Sequence, residues 1–405
     1  MHREHFKRNK VRLISFLSLL LGFLDAFFIY VLSSYFVSMT GSDNVGIFYF
    51  LAYSAVFVWL FFLQRLIRRI GQAHVLYLSL GLSMCAAALL ATSSSLWLSV
   101  CGALTLIIAT NVTWVALDII LESFSQDRVS GSIRGLYLTI MNAGLLAAPF
   151  LSLRTLENFQ YGGIFLTLVI GYTIVFVIAL VGFRTDNKVS QPKLRFGSTL
   201  KKMLSERNLL RIYHVSFALE FFYALMIVYT PIYLRSLQYT WDDIGILFTI
   251  MLIPFVVLQY PLGLLADRYF GEKEMLIGSI ALTVAATLTL PTLGAGNILA
   301  WGVTLFMTRV GVAGIEILRD SYFYKQIDGG DMDVIAFFRT ARPVANMVAA
   351  VLSILLLFVF PLWSVFWVVA LMLLFSLIET CFLHDSLGSR DPRTETGQRA
   401  ISLEK

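Results

Sequence analysis

Long apolar runs with almost no charge recur along this chain, from residues 12–36 to 361–383. Each is long enough to cross the ~30 Å hydrocarbon core of a bilayer as a helix, at about 1.5 Å per residue. Hydrocarbon offers no partners to peptide N–H and C=O groups, so a spanning segment must satisfy them internally. A chain of 405 residues could otherwise hold two or three soluble domains, but 58% of its residues are hydrophobic and only 14% charged. Ordinary soluble domains carry roughly 25% charged residues. The chain reads as a multi-pass membrane protein. Its first run is too long for a cleaved signal peptide and lacks a small-residue cleavage site.

Breaks of charge, Gly, Pro and Asn divide the apolar sequence into twelve expected spans. In the first half they lie near 12–36, 45–64, 73–92, 96–121, 133–153 and 161–183. In the second half they lie near 209–234, 243–266, 274–293, 297–318, 335–359 and 361–383. Lysine and arginine crowd alternate joints. Five precede or open the first span (Arg3, Lys7, Arg8, Lys10, Arg12), and eight lie between Arg184 and Arg211. The intervening joints hold only Arg154 and Arg235. The positive-inside rule then places both termini in the cytoplasm, in the cell (inner) membrane. The net charge of +6 is a topology and lipid-headgroup signal, and nucleic acid is not expected as a partner.

The expected organisation is a six-helix bundle over 1–183, a basic cytoplasmic linker over 184–208, a second bundle over 209–384 and a cytoplasmic tail over 385–405. The end of the linker, "STLKKMLSERNLL", has the pattern of a basic amphipathic helix on the membrane surface. Cys85, Cys101 and Cys381 lie inside apolar runs at no metal-ligand spacing and read as small buried hydrophobes. The histidines form no metal set, and no P-loop, H-E-x-x-H or nucleophile elbow is present, so neither an enzyme nor a cofactor is expected.

The two halves repeat. At an offset of 198, Leu117-Asp-Ile-Ile-Leu-Glu-Ser-Phe124 aligns with Ile315-Glu-Ile-Leu-Arg-Asp-Ser-Tyr322. Asp118 and Glu122 then fall on Glu316 and Asp320, and Asn111 falls on Arg309. Arg134 and Asn142 have looser counterparts in Arg339 and Asn346. Near offset 200, "RRIGQAHVL" at the end of span two matches "RYFGEKEML" at the end of span eight. Duplicated bundles facing one another across a cavity are a transporter architecture, with the substrate site near the midplane.

The stretch "GLLADRYFGEK", residues 263–273, places glycine and charge at one short joint. Gly263-x-x-x-Asp267-Arg268-x-x-Gly271-x-Lys273 resembles the cytoplasmic loop motif G-x-x-x-D-R-x-G-R-R of the major facilitator superfamily, with one position inserted before the second glycine. The first-half copy keeps Arg68, Arg69 and Gly71, while Leu63 and Ile67 replace the glycine and aspartate. The resemblance covers nearly the whole chain. It implies an all-α membrane protein of twelve transmembrane helices, in two pseudo-symmetric six-helix bundles around a central cavity, that moves a small molecule by alternating access. It further implies that Asp267 caps span five near Arg134-Gly135, and that Arg268 or Lys273 reaches Glu316 or Asp320. Together with Arg68, Arg69, Asp118, Glu122 and Arg339, these residues would form a cytoplasmic gate. Gly135, Gly144 and Ala148-Pro149 resemble the family's antiporter motif, and Leu305-x-x-x-Arg309 with Gly314 resembles a span-ten segment of the superfamily.

Asp25, Glu220 and Arg309, with Asn111 less centrally, lie roughly 15–20 Å from the nearest expected span start. A charge at mid-membrane costs about 2.5–3.5 kcal/mol or more, so each of these should face a cavity or a partner. The resemblance implies that spans one, four, seven and ten line the cavity, and those spans carry these groups. Desolvation raises a carboxyl's pKa, which suits proton exchange near neutral pH. Glu220 is the first candidate for it, because Tyr223 lies on its face and would help desolvate it, and Asp25 is the second. A static pair of Arg309 with Glu220 or Asp25 is the structural alternative. Span seven adds Tyr223 and Ile227 at helical spacing from Glu220, with Phe221, Phe222 and Tyr229 nearby, a wall suited to an amphiphilic or cationic substrate. The leading expectation is therefore a monomeric, proton-coupled carrier, of the drug/proton antiporter type. A nutrient or metabolite importer using symport is the alternative, and a non-transporting receptor of the same fold is a third.

Overall fold

A computed structural model describes residues 2–93, 95–124, 130–183, 205–266, 271–326, 334 and 337–384. Side chains are described from residue 12 onward within those ranges, with gaps that include Arg68, Asp118 and residues 121–139. The proposed amphipathic helix of the linker, the tail, Asp267 and Arg268 lie outside the described residues. Among the described residues the regular structure is helix, with no strand.

The helices are α1 (His2–Thr40), α2 (Gly46–Ile70), α3 (Gln72–Thr92), α4 (Leu96–Phe124), α5 (Ser130–Gly182) and α6 (Arg207–Ser236). They continue with α7 (Trp241–Val257), α8 (Gln259–Leu265), α9 (Glu272–Thr289), α10 (Ile298–Lys325), α11 (Ala341–Val359) and α12 (Ser364–Cys381). Each expected span meets one of them. Spans five and six both fall in α5, where the chain turns at Gln160 with φ 57° and ψ −168°. Span five is thus helical up to the turn, several residues beyond its expected end at 153. Span eight is broken between α7 and α8. Pro261 has no N–H for the Val257 carbonyl four residues back, and its ring crowds that carbonyl, so α7 ends there.

Turn chemistry sets the entry to α7. Thr240 Oγ1 accepts from the Asp243 N–H at 3.1 Å, and Asp243 Oδ2 accepts from the Thr240 N–H at 3.0 Å, a reciprocal cap. Glu157 at the end of span five accepts from the Asp242 N–H at 3.0 Å, so one half of the chain supplies an anion to the helix N-terminus of the other.

The packing of the two halves is mirrored. In the first, α1 packs on α5, α2 on α4, and α3 on both α4 and α5. In the second, α6 packs on α11, α7 on α10, and α9 on both α10 and α12. These are the same pairs shifted by six spans. Between halves the contacts are α2 with α11, α5 with α7 and α1 with α6, again exchanged in pairs by a two-fold operation. The bundles therefore face each other as a pseudo-symmetric pair.

The repeat reaches the level of single dihedrals. Gly71 between α2 and α3 has φ 87° and ψ 156°, and Gly271 before α9 has φ 74° and ψ 161°. Essentially only glycine tolerates that region, and an L side chain there is strained by about 1–3 kcal/mol. Gly263, by contrast, is not sterically required: a Cβ there would stand 3.5 Å from Ile317 Cγ1, an ordinary contact.

Large apolar side chains such as Leu78, Ile174, Val181, Leu355, Phe358 and Leu371 are exposed on the outer faces, far more apolar surface than water would tolerate. A bilayer is the environment that accounts for them. Cys85, Cys101 and Cys381 are exposed rather than buried, which corrects the sequence expectation: a residue in an apolar run can face lipid as readily as core.

The glycine dihedrals give a direct test. Gly71→Ala and Gly271→Ala should each destabilise the protein by about 1–3 kcal/mol in thermal unfolding. Gly278→Ala, in the same α9 with open space where its Cβ would stand, should leave stability unchanged or raised. Equal behaviour of all three variants would remove the strain from the account.

Candidate functional site

A small cavity opens between the bundles, lined from α1 by Asp25, Phe28, Ile29 and Leu32 and from α2 by Tyr49 and Tyr53. Ile107, Thr110, Asn111 and Trp114 of α4 and Arg342 of α11 complete it. Its volume, counted as space open to the centre of a water molecule, is about 20 Å3, enough for one or two waters. Asp25 and Asn111, singled out from sequence, share this wall. Asn111 donates to the Ile107 carbonyl at 2.8 Å, leaving its own carbonyl oxygen for the cavity side. Trp114 directs its indole N–H at the Asp25 carboxyl, and Arg342 is the cation that acts on it.

Arg342 is the residue that joins the halves. From its depth in sequence it belongs to the end bearing the basic joints, yet its side chain is half accessible along the cavity and reaches inward. It faces Asp25 and Tyr53 of the first bundle, and its Nε stands 3.9 Å from Glu220 Oε2 of α6. Glu220 has a second cation. Arg319 Nη1 lies 3.5 Å from Glu220 Oε1 and donates to Ser216 Oγ at 3.1 Å, while Arg319 Nε bonds Asp320 Oδ1 at 3.0 Å. The carboxylate of span seven is thus tied to two arginines carried by spans ten and eleven. An arginine is long enough to span the gap, which counting residues along one helix does not reveal.

Arg309 stands apart. Its side chain is buried, and among the described residues it forms no ion pair with Glu220 or Asp25, so the static pair expected as the structural alternative is absent here. Its guanidinium lies 5.0 Å from the Phe222 ring and 5.8 Å from the Tyr223 ring. Tyr223, expected to desolvate Glu220, has Arg309 over its ring and stands within electrostatic reach of Glu220 as well. Tyr229 serves packing across helices, donating to Ser353 Oγ of α11 at 2.9 Å.

A second link crosses the bundles nearer the basic end. Asn142 of α5 donates to Gln259 Oε1 at 3.1 Å, and Gln259 donates to Glu316 Oε2 of α10 at 2.8 Å. Gln259 stands at the α7–α8 break made by Pro261 and was missed in sequence. Its signal was a lone polar residue just before a proline inside an apolar span. The other missed group is Glu272, buried at the start of α9, which accepts from Ser321 Oγ at 2.9 Å and pairs with Lys325 of α10. It lies within the expected hairpin motif, between Gly271 and Lys273.

Of the expected gate residues, Asp267 and Arg268 lie outside the described residues, as do the side chains of Arg68, Asp118, Glu122 and Arg134. Arg69 is exposed at the end of α2, and Arg339 precedes α11. Glu316 and Asp320, expected to be held by hairpin bases, are engaged by Gln259 and Arg319. Gly144 of the antiporter-like stretch abuts the Leu19 carbonyl of α1, where a Cβ would clash, so here it serves close helix packing.

At the opposite end the bundles meet tightly. A Cβ on Gly46 of α2 would stand 2.8 Å from the Ala350 carbonyl and 2.7 Å from Ser353 Oγ of α11. Asn44 donates to the Ile354 carbonyl at 3.2 Å beside it. The arrangement is one of two bundles closed on each other at that end, with acidic and basic side chains gathered at the interface and a small cavity between.

The sequence matches the family model described as Major Facilitator Superfamily over residues 14–317 and again over 235–403. No individual curated protein matches it. Helices, repeat and match together establish an integral, multi-pass membrane protein.

Glu220→Gln leaves Arg319 and Arg342 facing a neutral amide. Breaking a buried pair costs about 3–5 kcal/mol, and the loss should fall toward the low end because Arg319 keeps Asp320. Gln259→Leu strands only a neutral amide and a partly buried carboxylate, a loss of about 1–3 kcal/mol. Thermal unfolding in detergent should rank Glu220→Gln as the more damaging. The reverse order would contradict the account of the ion network.

Proposed function

We propose, for a chain that belongs to the major facilitator superfamily and is therefore a membrane transporter rather than an enzyme, that transport of its small-molecule substrate is coupled to protons through Asp25. The observation that supports this is one cation shared by two carboxyls from opposite bundles: Arg342 faces Asp25 and Glu220 together. Glu220 is shared between Arg319 and Arg342, and Arg319 also holds Asp320. Asp25 has Arg342 alone, and Arg342 keeps Glu220 when Asp25 is neutral. Asp25 is the carboxyl that lines the cavity, where a proton and a substrate can reach it. Loading the proton frees Arg342 toward Glu220, which biases how α11 sits against α1 and α2. Proton and substrate then act on the same two-state equilibrium between bundle arrangements.

The remaining expectations attach to this frame. The two bundles are divided by the linker at 184–208, and both termini face the cytoplasm, so the end closed at Gly46 is the outer one. The Asn142–Gln259–Glu316 bridge and the hairpin with Asp267 lie on the cytoplasmic side and must part when the cavity opens inward. An efflux role rests on the antiporter-like stretch of span five, and import by symport is the second reading. Vesicles with the proton gradient imposed in either sense separate the two.

Asp25→Asn should abolish gradient-driven accumulation in proteoliposomes while substrate exchange persists, because exchange needs no net change in protonation. Its thermal stability should stay close to that of the parent chain. If Asp25→Asn accumulates substrate with an unchanged pH profile, Asp25 does not carry the coupling proton.

A further inference from the structure

Arg309 is a buried cation without a counter-charge. Its side chain lies in the protein interior, 2% exposed, and its Nε and Nη1 have no hydrogen-bond partner. No carboxylate lies within ion-pair distance of it among the described residues. Desolvating such an ion costs several kcal/mol even after relaxation. The rings of Phe222 and Tyr223 at 5.0 and 5.8 Å return part of that cost as cation–π contacts but supply no hydrogen-bond acceptor in the guanidinium plane. The deficit is large for a residue that serves structure alone. An isosteric apolar side chain would do better.

Its position is equally specific. Arg309 sits near the middle of α10. The charge of Arg309 also acts on Tyr30 of α1, and Tyr30 packs against Phe248 of α7 with ring centroids 5.2 Å apart. The guanidinium is thus enclosed by α6 of its own bundle and by α1 of the facing one, where opening would separate the walls. Tyr30 is within electrostatic reach of Asp25 as well, so the cation and the cavity acid belong to one central region.

We propose that Arg309 is the anchor for an anionic group on the substrate, and that this carrier's cargo is an amphiphilic organic anion. This rests on the carrier reading above and adds the substrate class to it. A carboxylate or sulfonate would supply the acceptors that Nε and Nη1 lack, in the side-on, two-pronged geometry that guanidinium favours. The apolar body of the anion would lie against Phe222, Tyr223, Tyr30 and Phe248. In the closed arrangement the rings occupy that place, and opening between α1 and α6 exchanges them for the ligand. The aromatic wall on span seven, read from sequence as suited to a cation, carries instead a fixed positive charge, which repels one.

The test uses the purified full-length protein in detergent, in buffer of constant ionic strength. The probes are benzoate, octanoate and 2-naphthalenesulfonate as anions, methyl benzoate as the neutral isostere, tetraphenylphosphonium as a cation, and chloride as the inorganic control. At least one organic anion should raise Tm by about 2 °C or more at saturation, and methyl benzoate and chloride should not. Arg309→Gln should weaken that anion's binding roughly 10- to 100-fold, the range for hydrogen bonds to a charged group, and Arg309→Lys should keep part of it. Without ligand, Arg309→Met should unfold no earlier than the parent chain, because no partner is stranded. The proposal is overturned if no organic anion stabilises the parent chain, if the shift survives in Arg309→Gln, or if Arg309→Met is markedly destabilised without ligand. Flux in proteoliposomes separates the two layers. Stabilisation by tetraphenylphosphonium with flux of that cation leaves a carrier but removes the anion anchor. An Arg309-dependent anion shift without flux of that anion keeps the site and removes its role in carriage.

Discussion

Charge inside a bilayer has to be neutralised by other parts of the protein, and most of this architecture follows from how that is done. Glu220 on α6 is held by Arg319 of α10 and Arg342 of α11, so one carboxylate fastens three helices of its own bundle. Arg342 then faces Asp25 of the other bundle, and the neutralisation becomes shared across the interface. Such networks are weak evidence for stability, since apolar packing could often replace them. In the proposed mechanism their value lies in having more than one arrangement: a cation between two carboxyls can be drawn to either, and the bundles carrying them would move with it.

The backbone of the two halves is the same object twice, but the side chains differ where function is expected. Gly71 and Gly271 share a conformation, and the helix pairings repeat in order. Against that symmetry, Asn111 falls where Arg309 stands, and Gln72 falls where Glu272 stands, both pairs on matched helices. The second bundle therefore holds the fixed positive charge, and the first holds the cavity acid. A symmetric frame can rock about its interface without strain, while an asymmetric lining gives the two sides different chemistry.

The interface is built from two materials. Near Gly46 the backbones of α2 and α11 touch through small residues, a contact that depends on shape and dispersion. Nearer the basic end, Asn142, Gln259 and Glu316 form a chain of hydrogen bonds. Each such bond has a net worth of only about 0.5–1.5 kcal/mol, because water can replace it. A contact of that kind can open and reclose at little cost, which suits an end that changes state.

The twelve spans, their grouping in two repeated halves and the presence of Asp25, Glu220 and Arg309 within spanning helices were all legible in the sequence. They depend on local or periodic properties: hydrocarbon thickness sets the run length, and a duplicated segment repeats its own residues at a constant offset. The expected partners were not legible. Nothing local says that Arg342, near the start of its helix, reaches Glu220 and faces Asp25, that Tyr223 carries Arg309 over its ring, or that Cys85 faces outward. Those facts depend on helix rotation and on the reach of long side chains across an interface. Hydrophobic period constrains rotation poorly when every face of a helix is apolar. The chain alone therefore determined which charged residues lie within the apolar helices. Only packing decided which of them neutralise one another, and among the described residues that left Arg309 without an ion-pair partner.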